Sequence, residues 1–529
     1  MSASGVIRVI TEPLGGSPLS LAIQRRELRD ELTFSSPTTL EEWRTHAAAV
    51  KQDTASGWYE ALREAFGTNV NVTASARLRG AASDGGLVVT TGQQAALFGG
   101  PLYTLAKALS ALALADRLQR ELGIPVAPVF WAATDDADFL EAQTTYAADA
   151  DGLHELKLER TPPPGTPMAE ALLGDVPVLL ETLRRACGSA AHGEYFELVS
   201  EAFESEQTLG RAYVRMLRGL LGPLGISVLD SSHPAYRGVA RPMLLDALLR
   251  APEIADAVAA RTAALREAGF EPQVDDERGL SLVAAIENGI KRRIPIDETS
   301  ATGNAVAPNV ALAPNVLLRP VIERAILPTA AYVAGPAELA YFAQCRAVAE
   351  ALSRPAPVAV PRWSCTVIEP FVDKALRRLR VEYHELRERA TVERRLAAQA
   401  MPAGVAAAWS RLQEQVRSAV RELADAVRDA SLMPATVVQG LEHSLFHKLR
   451  RGERRMIAAV KRREERTQRD IEVACASLFP FGQRQERVLN FIPMLTRGGP
   501  ELVAEMQRHA ATHVESLVAA ERQQPAAAH

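Results

Sequence analysis

The sequence predicts an α/β fold, a doubly wound parallel sheet with helical insertions, followed by an antiparallel helical hairpin near the C-terminus. Three observations predict it. Two segments read as strand, glycine loop and helix, each with a Gly-Pro pair at the helix start (Gly100-Pro101 and Gly335-Pro336). Short apolar runs alternate with helical patterns over the first two thirds of the chain, as crossover units require. Beyond about residue 370 the apolar residues fall instead at alternating three- and four-residue steps, the signature of a coiled-coil seam.

Leu87 to Thr91 (LVVTT) is a β-branched run followed by the loop GQQAALFGGP. A helix starting near Leu102 carries Leu105, Leu109, Leu112 and Ala115 on one stripe. The run IPVAPVFWAAT follows and ends in the acidic segment DDADF. ISVLD, ending at Asp230, reads as another strand, as do Ala330 to Val333 and Pro357 to Pro361. The stretches at about 151–222 and 234–304 are mostly helical by pattern and read as insertions between core strands. In the hairpin, the expected seam is Trp409, Leu412, Val416, Ala419, Leu423, Ala426 and Ala430. Pro434 breaks the chain, and the return helix carries Val438, Leu441, Leu445, Leu449, Met456 and Val460. At about 1.5 Å per residue the arm reaches roughly 40 Å.

With 529 residues, two or three structural units are expected. A net charge of -4 argues against a nucleic-acid binder, and the basic run from Lys448 to Arg466 is interleaved with glutamates, as on the outside of a coiled coil. No stretch approaches about 18 uninterrupted apolar residues, so no membrane span is expected. The N-terminus does not read as a signal peptide. The four scattered cysteines have no metal-ligand spacing and suit a reducing cytoplasm. The last residues, ERQQPAAAH, read as a frayed tail.

The loop after the first strand offers a phosphate site: Gly92, Gly99 and Gly100 for close backbone approach, Gln93 and Gln94 as amide donors, the Tyr103 hydroxyl and the Lys107 charge. The alternative is a tight β-to-α turn with Lys107 in solvent. Asp135, Asp136 and Asp138 follow a strand that neighbours the first, at the sheet edge where such folds bind ligands. Carboxylates there position an amine, hold a metal through phosphates or act as a base, or else form an acidic surface loop. Asn315 and Arg319 are a polar pair around a buried apolar run, and Arg362 and Ser364 end another strand, where arginine clamps carboxylates or phosphates or makes structural ion pairs. His233 reads as a turn cap. His443 and His447 have metal-compatible spacing but no third ligand, and no metal site is assigned.

Six segments resemble one family, the cysteine-adding enzymes of bacillithiol biosynthesis: TTGQQAALFGGPLYTLAKA (Thr90 to Ala108), PVFWAATDDADF (Pro128 to Phe139), PNVLLRP (Pro314 to Pro320), LPTAAYVAGPAELAYFAQ (Leu327 to Gln344), PRWSCTVIE (Pro361 to Glu369) and LFPFGQRQERVLN (Leu478 to Asn490). They occur in the family's order and extend over most of the chain. The resemblance implies a Rossmann-like core (1–370, with the two insertions), a helical coiled-coil domain (371–475) and a C-terminal segment (476–529) packing back on the core. It implies a cysteine ligase that joins cysteine to glucosaminyl-malate in the last step of bacillithiol synthesis. Because a carboxylate is a poor electrophile, ATP or a related nucleotide is the expected activator. Gly335, Glu338 and Tyr341 join Asn315, Arg319, Arg362 and Ser364 as candidate substrate contacts, and Asp135, Asp136 and Asp138 as candidate catalytic groups. The chain departs from the family pattern at Ala137 and Thr144, where histidines are usual, and at Ala96 and Ala106. These departures leave open a transferase relative with another amine acceptor, or a scaffold with a vestigial pocket. The exposed tip residues Leu432 and Met433 lead us to expect a homodimer through the arm.

Overall fold

The structure is a computed structural model describing residues 7–29, 31–34, 36–67, 71–189, 191–275, 279–298, 306–307 and 309–518. The expected tail at 521–529 and the end of the second insertion, at 299–304, lie outside the described residues.

Five parallel strands form the central sheet: β2 (Leu87–Gln94), β3 (Val126–Ala133), β6 (Ser227–Asp230), β10 (Thr329–Ala334) and β11 (Ala359–Pro361). Their spatial order is β11-β10-β2-β3-β6. The chain lays β2 in the middle, builds outward through β3 to β6, then returns to add β10 and β11 on the other side. The reversal between β2 and β10 opens a crevice at the strands' carboxyl ends.

Near-continuous apolar runs form these strands because both faces of the sheet are covered. Val88, Ala127, Val129 and Trp131 enter one cluster with Leu244 and Phe342. The Tyr103–Leu122 helix packs on β2 and β3 through its leucine and alanine stripe and is itself backed by the Ile492–Glu515 helix. Each fully buried Leu or Val contributes about 1.5–3 kcal/mol. Gly123, left-handed at φ 67, ends the former helix.

The insertions, expected to be mostly helical, also carry strands. β5 (Gly152–Lys157) opens the first, following β4 (Thr144–Asp149). The second carries β7 (Leu280–Glu287) and β8 (Ile290–Pro295), which with β9 (Ala311–Pro314) form an antiparallel sheet of order β8-β7-β9. Asn288 and Gly289, both left-handed (φ 51 and 76), make the two-residue turn that suits a hairpin's twist. β1 (Arg8–Thr11) pairs with β12 (Cys365–Ile368).

The chain divides into two compact units. One holds Ile7–Asp149, His154–Val367 and the residues from Arg484 onward; the other holds Ile368–Gln483 with Ala150–Leu153. In the second unit, the Ala403–Asp429 and Ala435–Arg463 helices are antiparallel around Pro434. Their seam is Val416, Val420, Ala424 and Val427 against Val438 and Leu445. Trp409 lies over Gly452, whose missing side chain makes the space for the indole. The expected seam is corrected: Leu412, Ala419, Leu423, Ala426 and Ala430 are exposed, as is Leu441. Alternating alanines with leucines made the neighbouring stripe look equally apolar, and β-branched valine won the contact.

Candidate functional site

The carboxyl ends of β2, β3 and β10 and the segment after β11 enclose a cavity of about 290 Å³, close to the lower bound of about 300 Å³ for ligand pockets. β2 runs on to Gln94, so Gly92 and Gln93 belong to the strand rather than to a loop. Gly92 has to be glycine: a side chain would sit 2.8 Å from the Trp131 carbonyl across the ladder.

Three of the cavity's four cations are already paired. Lys107 Nζ lies 2.7 Å from Glu338 Oε2 and also donates to the Gly92 carbonyl and to Gln93 Oε1. Burial pushes the Glu338 carboxyl up, but the Lys107 ammonium, the Tyr332 hydroxyl (2.6 Å) and the Gly335 N–H (2.6 Å) overcome it and hold it below the usual range. Arg319 lies 2.7 Å from Glu323, donates to the Tyr341 hydroxyl and stands 4.9 Å over the Tyr332 ring. Arg362 makes a buried bidentate pair with Glu486 (2.7 and 2.9 Å) and faces the Tyr103 ring. Burial raises the Tyr103 hydroxyl to about 12, and it accepts from Gln93 Nε2.

The remaining groups are Arg487, Asp136 and Glu141, which line the same cavity without an ion pair among the described residues. Burial raises Asp136 above the ordinary carboxyl value; Lys291 opposes the shift and Asp135 adds to it. Glu141 is also raised, by burial and then by Asp138 and Asp136, against the pull of Arg487.

Of the residues nominated from the sequence, Gly92, Gln93, Gln94, Tyr103, Lys107, Asp136, Arg319, Gly335, Glu338, Tyr341 and Arg362 line the cavity. Six do not line it. Gly99 and Gly100 take left-handed conformations (φ 91 and 76), and a side chain on Gly99 would collide with Met216 and Phe491. The carbonyl of Gly100 accepts from Asn490. Asp135 is buried between Ser231 and Lys291 of β8 (3.2 Å), so it ties the antiparallel sheet to the core. The Asp138 side chain caps a short helix at Glu141 N, Asn315 caps Leu317 and Leu318, and Ser364 donates to Glu486. His233 caps its helix through Ala235 N, as expected. The four cysteines are buried, and no group of three metal-ligating side chains forms among the described residues.

Sequence reasoning missed Trp131, Tyr332, Glu141, Glu486 and Arg487. Glu486 and Arg487 stood inside the quoted QRQERVLN segment, and their charge next to an otherwise buried run was the available signal.

The expected phosphate cradle does not form after β2. Lys107 spends its donors on protein oxygens, Gly99 and Gly100 lie off the cavity, and the acidic groups offset the cations. Such a charge-balanced cavity does not fit a nucleoside triphosphate.

Two family descriptions divide the chain: bacillithiol biosynthesis BshC, N-terminal Rossmann-like domain, over residues 17–363, and its C-terminal coiled-coil domain over residues 365–515. The chain belongs to the bacillithiol biosynthesis BshC family. A relative from Solibacter usitatus, named putative cysteine ligase BshC, is 32% identical over 449 residues, covering 80% of this chain and 82% of its own. Proteins of the same name from Koribacter versatilis (28% identical over 455 residues; 82% and 84% covered) and Carboxydothermus hydrogenoformans (29% over 465; 80% and 82%) are similar over the same extent. The BshC family thus unites the parallel-sheet core and the helical arm. No helix among the described residues is long and apolar enough to cross a membrane.

Proposed function

We propose that the protein is a cytoplasmic ligase that forms an amide between the cysteine carboxyl and the amine of glucosaminyl-malate, the last step of bacillithiol synthesis. The observation that carries this reading is the unpaired set Arg487, Asp136 and Glu141 in a cavity at the sheet's switch point. Arg487 suits the carboxylate of a small acidic substrate, and the two carboxyls suit an amine. Attack requires a neutral amine. As the neutral amine adds to the activated carboxyl, Asp136, raised by burial, takes the proton its nitrogen sheds, and the activating group leaves as the C–N bond is completed. No histidine lines the cavity among the described residues, so with Ala137 and Thr144 in the family's histidine places the carboxyls carry the acid–base work. A nucleotide triphosphate would supply the activation of the carboxyl, and no residue of this cavity is assigned to it.

Purified protein given cysteine, glucosaminyl-malate and ATP should yield bacillithiol by mass spectrometry. A deletion strain should lose bacillithiol and accumulate glucosaminyl-malate. A strain with an unchanged thiol profile rules out this step. The exposed leucines of the arm support a homodimer built on two copies of the hairpin.

A further inference from the structure

We propose that a second cavity, at the amino end of the edge strand β6, binds a phosphate-bearing small molecule with an apolar body. It encloses about 320 Å³, and no carboxylate is among the described residues that line it. It stands apart from the first cavity, which opens at the strands' carboxyl ends, and the inference does not depend on the proposed ligase activity.

Arg218, on the Leu209–Leu221 helix, is its centre. The guanidinium lies against Gly67, where a side chain would approach within 2.7 Å. Nη2 donates to the carbonyls of Ala65 (2.7 Å) and Val228 (3.5 Å). Nε is buried without a partner, and Nη1 has none among the described residues. The carboxylate that acts on it from a distance, Asp230, is engaged by Thr134 and by Ser232 N (2.9 Å) and makes no ion pair with it. Burial accordingly lowers the Arg218 pKa.

A partly buried cation without a counter-ion is costly, and an anion in the cavity would offset that cost. Arg63 and Arg79 stand exposed at the rim; among the described residues Arg63 reaches only an exposed Glu60 at 3.7 Å, and Arg79 has no ion pair. Three guanidinium groups around one space match a group of charge near -2 better than a single carboxylate, and their forks match phosphate oxygens. Phe66, Leu78 and Ile226, all buried, supply the apolar walls.

The test is calorimetric titration of the full chain with phenyl phosphate, inorganic phosphate and phenol. Phenyl phosphate should bind at one site per chain, inorganic phosphate about tenfold more weakly, and phenol not at all. Arg218→Met should weaken phenyl phosphate at least about tenfold. Because Arg218 also bridges two carbonyls, the exposed pair Arg63→Gln and Arg79→Gln provides a variant that keeps the fold, and it should lose about tenfold together. Arg487→Met, in the other cavity, should leave binding unchanged. No binding at millimolar ligand, phenol binding as well as its phosphate, or full affinity in the rim variant would each overturn the site. Equal affinity for inorganic phosphate would overturn the apolar body.

Discussion

Lys107 Nζ and Glu338 Oε2 meet at 2.7 Å, the lysine buried and the glutamate largely so, one from the helix after β2 and the other from the helix after β10. The pair therefore bridges the two halves of the sheet across their point of reversal. The lysine that a phosphate loop would have extended toward a ligand is a rivet in the wall of the site.

Removing one partner of this pair should be worse than removing both. Lys107→Met leaves a largely buried carboxylate without its counter-ion, held only by the Tyr332 hydroxyl and the Gly335 N–H, and should cost about 3 kcal/mol, whereas adding Glu338→Leu should restore much of it. Urea denaturation of the single and double variants checks this. An unaltered single variant would mean that Glu338 protonates without cost.

Arg487 lies at the exposed rim, so Arg487→Met should fold normally. Losing a charge-assisted contact of about 1.5–3 kcal/mol should raise the KM for one substrate roughly 10- to 100-fold. Steady-state kinetics with each substrate varied in turn would show which carboxylate it holds, and an unchanged KM for both would remove Arg487 from binding.

Asp136 carries a predictable pH signature. Its folded pKa is raised, so the folded protein retains a proton that the unfolded chain has lost. Its contribution to stability is present below the ordinary value of 3.8 and is lost as pH rises through the raised value. Asp136→Asn should therefore be more stable than the parent at neutral pH, by about 0.5–2 kcal/mol, with the gain disappearing below that ordinary value. Activity should fall at least about 100-fold. Thermal unfolding across pH, beside turnover, checks both halves.

The arm should associate. Leu412 and Leu423 are exposed at 41% and 43%, and Leu432 at the tip at 70%. Sedimentation equilibrium should give a dimer for the full chain, and Leu412→Asp with Leu423→Asp should give a monomer with its helix content intact. A monomeric parent at micromolar concentration refutes the contact.

The parallel sheet and the arm were legible because their signals are local: β-branched runs before glycine, Gly-Pro at helix starts and a break at Pro434. The β7–β8 hairpin has a local signal too, Asn288-Gly289, but the helical patterns around it mask that signal. The seam was misplaced because alanine and leucine stripes tie on hydrophobicity, and shape decides between them. In the site, residues at strand ends could be nominated from position alone. Whether a charge is a ligand contact or a structural partner depends on what arrives from elsewhere in the chain. Asp135 meets Lys291 and Arg362 meets Glu486, and neither meeting has a local trace.

Glu486 and Arg487 come from the segment that follows Gln483, yet they complete walls begun at Gln93 and Arg362. The parallel-sheet unit is consequently discontinuous, and the whole Ile368–Gln483 segment is spliced into it. During synthesis, the ribosome must extrude the entire arm before the last wall of the cavity exists. Until then Arg362 waits as a cation without its counter-ion. A chain released early would hold most of a sheet and an unfinished cavity.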